Sequence, residues 1–232
     1  MKKKSYIAYL IVEAILYISL FVFQLLTTFK GEYIFDKSGP YFNVIKILQV
    51  TLTGVTLVIV LLYFLFKKDK KLKLDDLFVI YFILIFIADI FFSLTKYIFV
   101  GHVMFLLAYL TFMIIRKARF YEYFIPLGSG TILLIILLII KKLNLQLGID
   151  CYLGSVLLFN FIMCFINYMK DKNKTNLILL IALSLILISD LSIAIRTIVL
   201  KPYFLNCIIS FLTWITYIFG NALLIKKYIE NN

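Results

Sequence analysis

Histidine occurs once in these 232 residues, cysteine and proline three times each, and only 12 acidic residues stand against 24 lysines and arginines. Each scarcity excludes a chemistry. A single histidine, His102, cannot build a multi-histidine zinc site, and no His-Glu-x-x-His segment is present. Cys151, Cys164 and Cys207 lack metal-ligand spacing, and no disulfide is assigned to them. Neither a metal nor a cofactor is called for. There is no Gly-x-Ser-x-Gly elbow and no phosphate-cradling glycine loop. Gly128-Ser129-Gly130 follows Pro126 inside an apolar stretch and reads as a kink or a close packing point. No connection exceeds about a dozen residues, which leaves no room for a separate soluble domain. Acid–base chemistry by carboxylates survives these exclusions.

What the chain has instead is hydrocarbon. It is 64% hydrophobic, with 23 Phe and 16 Tyr, and apolar runs of bilayer-spanning length recur from end to end. The expected fold is all-α, a polytopic membrane protein with eight spans: residues 5–29, 41–66, 76–95, 98–115, 120–140, 151–169, 176–200 and 203–225. Met1-Lys2-Lys3-Lys4 before an apolar run imitates a signal peptide. The run is long, carries Glu13 and lacks a small-x-small cleavage site, so it reads as a retained first helix.

The net charge of +12 is distributed by loop. The N-terminus and every second connection hold 16 of the 24 cations, at Lys2 to Lys4, Lys67 to Lys73, Arg116 to Arg119, Lys170 to Lys174, and Lys226 with Lys227; the opposite connections hold six. By the positive-inside rule both termini are expected in the cytoplasm of a multi-pass cell-membrane protein. The basic face suits anionic lipid and argues against nucleic acid.

Two aspartates lie deep in apolar sequence, Asp89 after Phe86-Ile87-Ala88 and Asp190 after Leu187-Ile188-Ser189. A charge at the bilayer centre costs at least ~2.5 kcal/mol, so such residues mark functional sites. They are 101 residues apart in matching contexts, with Asp76 and Asn176 opening their helices. One membrane domain, residues 1–232, with halves 1–119 and 120–232 related about the membrane normal, is the implied organisation; coincidence in a biased background is the alternative. At ~1.5 Å rise per residue both aspartates sit about 20 Å from the cytoplasmic helix ends. Their carboxyl groups are expected about 4 to 9 Å apart in a common cavity.

Helical spacing lines Asp89 with Ser93 and Lys96, and Asp190 with Ala194 and Thr197 ahead of Lys201. An acidic floor under a basic mouth would suit an amphiphile with a phosphate headgroup. The plainer alternative is that each aspartate bonds a neighbouring helix while each lysine snorkels. Glu13 is either a third site carboxylate or a structural partner for a tyrosine or Lys46. His102 either exchanges protons with Asp89 or is an interfacial residue. Arg196 is a candidate headgroup cation; Asn160, Asn167 and Asn221 are weaker polar marks.

At these residues the chain resembles the YhhN-type lysoplasmalogenase family of eight-helix membrane proteins. The resemblance rests on Ala88-Asp89, then Phe99, Gly101, His102 and Tyr109, on Ser189-Asp190, and on Tyr217-Ile218-Phe219-Gly220-Asn221, where Asn221 replaces the family's glutamine. It implies hydrolysis of the vinyl-ether bond of lysoplasmalogens without a metal, with a lipid drawn from the bilayer as substrate. The chemistry of the residues agrees with that reaction. It needs one carboxyl group to protonate carbon and another to activate water, and two close carboxylates in low dielectric share a proton. A proton-coupled small-solute or lipid transporter, with the aspartates at the interface of the halves, is the alternative from another class; a structural or sensory subunit is a third.

Overall fold

The computed structural model describes residues 2–30, 41–67, 73–140, 144–198 and 203–231, except the side chains of 2–4, 196–198, 203 and 231. Among these residues it contains eight helices and no strand: α1 (Lys2–Phe29), α2 (Phe42–Leu65), α3 (Leu77–Leu94), α4 (Ile98–Ile115), α5 (Phe124–Ile139), α6 (Leu145–Lys170), α7 (Lys174–Ile198) and α8 (Tyr203–Asn231). All eight are long and apolar enough to cross a membrane. Inside lipid every backbone N–H and C=O must be satisfied within the segment, which leaves helices as the only solution for apolar runs of this length.

Local chemistry sets the helix ends. Short 3₁₀ turns, Leu74–Asp76 and Phe120–Tyr123, lead into α3 and α5. In the first, the Asp76 carboxylate accepts the Lys73 backbone N–H at 2.7 Å, pairs with Lys67 at 2.5 Å and accepts the Tyr228 hydroxyl at 3.4 Å. Glu122 plays the same part before α5, accepting the Arg119 N–H at 3.2 Å and pairing with Arg116 at 2.7 Å. α6 begins earlier than the hydropathy suggests, because the Asn144 side chain caps it by accepting the Leu147 N–H at 2.8 Å, and Asp150 then falls inside the helix. α8 runs past Lys226, where Lys227 reaches Asp75 at 3.2 Å and Glu230 meets Lys174 at 3.2 Å.

Seven of the helices close into a ring in the order α1, α2, α3, α4, α6, α7, α8, with α7 against α8 and α3 against α4 as the most extensive contacts. α5 packs mainly on α6, outside the ring. Only Pro126 and Gly130 of α5 are buried, and a Cβ on Gly130 would lie 2.6 Å from the Tyr152 ring. Gly130 is therefore a close packing point, whereas Gly128 faces open space. Without a hydrophobic drive between helices in lipid, such contacts, dense packing and interhelical hydrogen bonds hold the bundle. The aromatic centre around Phe78, Tyr81, Phe82, Phe112 and Tyr228 supplies the packing, each ring pair worth ~0.5 to 1.5 kcal/mol beyond its area.

Candidate active site

Glycines draw the helices together near the aspartates. A Cβ on Gly101 would lie 3.2 Å from the Ala88 carbonyl and 3.0 Å from the Phe92 ring, so α4 approaches α3 one residue before Asp89. A Cβ on Gly220 would meet Ile186 at 2.8 Å and the Ala182 carbonyl at 3.0 Å, where α8 crosses α7.

Each aspartate is bonded across the ring. Tyr217 on α8 donates its hydroxyl to Asp89 on α3 at 2.7 Å. Tyr109 on α4 donates its hydroxyl to Asp190 on α7 at 3.0 Å. The two pairs are crossed, since one joins α3 to α8 and the other α4 to α7. Thr53 on α2 lies beside Asp89, and the two carboxyl groups lie within electrostatic reach of each other. Tyr81 is fully buried on α3 with no hydrogen-bond partner for its hydroxyl, in electrostatic reach of both aspartates. Three tyrosines from three helices thus surround two carboxylates. Phenol donors hold a carboxylate rotamer and stabilise its charge.

Ser189 and Asn221 are buried at 1% and 2% exposure, and the Asn221 side-chain oxygen has no partner. His102 sits with Asp150 of α6, ring Nδ1 to carboxylate oxygen 2.5 Å, a close polar contact without hydrogen-bond alignment. Its Nε2 lies 3.3 Å from Gln146, its ring stands edge-on to Phe92, and it is within electrostatic reach of Asp190. Asp150 and Gln146 were not singled out from the sequence; their polar character inside α6 was the available signal.

Glu13 on α1 is 2% exposed and accepts the Thr56 hydroxyl at 2.9 Å, while Tyr9 lies 3.3 Å from the same hydroxyl. Lys46 donates to the Phe92 carbonyl at 3.3 Å. Gln49, Thr53 and Thr56 recur at helical spacing on one buried face of α2, where Gln49 accepts from Ser93 at 3.5 Å, Thr53 lies beside Asp89 and Thr56 donates to Glu13. That polar stripe was legible as a pattern and marks the helix face turned to the site.

The expected basic mouth is described only in part. Lys96 is exposed in the turn between α3 and α4, and Ala194 is exposed on α7. The side chains of Arg196 and Thr197, and Lys201 altogether, lie outside the described residues. Among the described residues no three His, Cys, Asp or Glu side chains gather to hold a metal ion, and the three cysteines are free.

No curated protein and no solved structure matches the chain. A family model described as the YhhN family matches residues 45–228, well over half of the sequence, taking in both aspartates and all three tyrosines around them. The chain belongs to the YhhN family.

Proposed function

We propose that the protein hydrolyses the vinyl-ether bond of lysoplasmalogens, ether lysophospholipids taken from the bilayer, to a fatty aldehyde and a glycerophospho-headgroup. The observation that carries this reading is the crossed arrangement of two intramembrane aspartates, Asp89 buried and Asp190 half-buried, each held by a tyrosine from a distant helix. Membership of the YhhN family supports it, as the activity that the sequence resemblance implies.

One aspartic acid donates its proton to the vinyl carbon remote from the ether oxygen, leaving an oxocarbenium ion that the second, ionised aspartate stabilises. Water adds to the carbon bearing the oxygen and gives a proton to that second aspartate. The hemiacetal collapses as its hydroxyl proton passes to the first carboxylate and the second returns its proton to the departing glycerol oxygen. One water is consumed and both carboxyl groups are restored. Tyr109 and Tyr217 fix the carboxylate rotamers. Tyr81, Ser189 and Asn221 are assigned to holding the water or the ether oxygen, because Tyr81 and Asn221 keep hydrogen-bonding atoms without partners. His102 supports the site from its contact with Asp150. Lys96 and Arg196 are assigned to the headgroup. The loop charge bias supports both termini lying in the cytoplasm.

The test is purified protein in detergent with an alkenyl lysophospholipid, monitored for aldehyde. Release that depends on protein and spares the ester-linked analogue supports the reading. No aldehyde, together with proton-coupled solute or lipid movement in vesicles, would replace it with the transporter.

A further inference from the structure

A second polar feature lies away from the aspartates, on the face of the bundle where the two termini meet. The connection from α4 to α5 and the last turns of α6 enclose a cleft of about 220 Å³, lined by Arg116, Lys117, Arg119, Tyr121, Glu122 and Lys170 among others. That volume holds about seven waters at ~30 Å³ each, ample room for a phosphate group.

The charge of the cleft is unbalanced. Glu122 is its one carboxylate among these residues, and both of its oxygens are committed, to the Arg116 guanidinium at 2.7 Å and to the Arg119 backbone N–H at 3.2 Å. Arg116 is buried, its side chain only 4% exposed, with the guanidinium over the Phe159 ring. Its Nε donates to Asn160 at 3.0 Å and its Nη1 to Glu122, but its Nη2 is buried with no partner. A buried guanidinium edge without an acceptor is a costly arrangement, and an anion is the acceptor that also meets its charge.

The backbone gives an independent sign. Lys117 is the one described non-glycine residue with positive φ, at 59°. The chain turns back there through Lys117 N–H to Ile114 O and Ala118 N–H to Met113 O, a helix terminus that favours glycine. A side chain in this region costs roughly 1 to 2 kcal/mol, and such strain persists where a site uses it. Lys117 thus carries its charge into the lining of the cleft from a strained position, next to Arg116. Next to the cleft, Phe120 is 80%, Tyr121 57% and Phe124 59% exposed, which is the aromatic belt of a membrane interface and sets the cleft at headgroup level.

We propose that this cleft binds the phosphate of an anionic glycerophospholipid headgroup, as a site distinct from the aspartate pair and independent of the reaction assigned to it. Arg116 completes the phosphate contact from below, while Lys117, Arg119 and Lys170 close around it.

Native mass spectrometry of the detergent-purified protein tests this with phosphatidylglycerol, phosphatidylcholine and inorganic phosphate as probes. The variant is Lys117→Gly with Lys170→Gln, which keeps the Arg116–Glu122 pair and relieves the strained residue, so the fold is retained. The control is Lys174→Gln, which removes a cation from the same face outside the cleft. Expected are preferential retention of phosphatidylglycerol, at least a tenfold loss of that retention in the double variant, and none in the control. Equal losses in variant and control, or no preference over phosphatidylcholine, would overturn the site. Displacement of the lipid by millimolar inorganic phosphate would overturn the lipid assignment in favour of a free anion.

Discussion

The Tyr217 hydroxyl on α8 meets the Asp89 carboxylate on α3 at 2.7 Å, and 128 residues of chain separate the two. Tyr109 on α4 and Asp190 on α7 repeat the relationship in the other direction. Moving 101 residues along the chain carries Asp89 to Asp190, and moving 108 carries Tyr109 to Tyr217. A two-fold axis along the bundle would generate that crossing, and it supports the proposal that the chain consists of two four-helix halves.

If Asp89 and Asp190 act as acid and base, Asp89→Asn and Asp190→Asn each lower aldehyde release by at least ~10²-fold while the protein stays folded. Because the two act as a unit, the double variant is little worse than either single one. Normal turnover in both single variants would move the chemistry elsewhere.

Tyr109→Phe and Tyr217→Phe remove one hydroxyl each without changing packing. A hydrogen bond between membrane helices is worth ~0.6 to 2 kcal/mol, so each substitution lowers kcat by about 3- to 30-fold, with similar losses on the two sides of the crossing. Tyr81→Phe removes a hydroxyl with no partner, so it leaves thermal stability unchanged or improved and lowers kcat. A Tyr81→Phe protein with full activity would remove that residue from the site.

Glycine substitutions separate close approach from open space. Gly220→Ala brings a methyl group within 3.0 Å of the Ala182 carbonyl, a backbone atom that cannot step aside, and lowers the melting temperature in detergent. Gly128→Ala meets nothing within 4 Å and raises it, since alanine is favoured over glycine in a helix by ~1 kcal/mol. Equal shifts in the two would contradict the α7–α8 crossing.

Lys67 and Asp76 are 5% and 6% exposed at the entrance to α3. Asp76→Asn removes the carboxylate charge that faces the buried Lys67 and lowers stability in denaturant unfolding, by up to ~3 to 5 kcal/mol. Replacing both by leucine or methionine costs less than the single change. A double variant worse than the single would show that the ion pair stabilises the bundle in its own right.

The loop charges predict that both termini lie in the cytoplasm. A C-terminal tag that protease removes from outside intact cells would reverse the orientation.

The sequence by itself determined eight helices, because apolar runs of that length have one way to satisfy their backbone in lipid. It also marked Asp89 and Asp190, because a carboxylate in hydrocarbon is too costly to be incidental. Periodicity tells which residues share a face of a helix; it does not tell which helix that face meets. For that reason Tyr81, Tyr109 and Tyr217 could not be singled out from 16 tyrosines by spacing, although the resemblance pointed to two of them. The partner of Glu13 proved to be Thr56, and that of His102 proved to be Asp150, for the same reason. The place of α5 outside the ring was equally hidden, since lipid and protein neighbours are alike apolar and leave no contrast along the helix. Only the tertiary structure decided these contacts, because they depend on how the helices close into a ring, which shape and hydrogen-bond complementarity select and hydropathy does not.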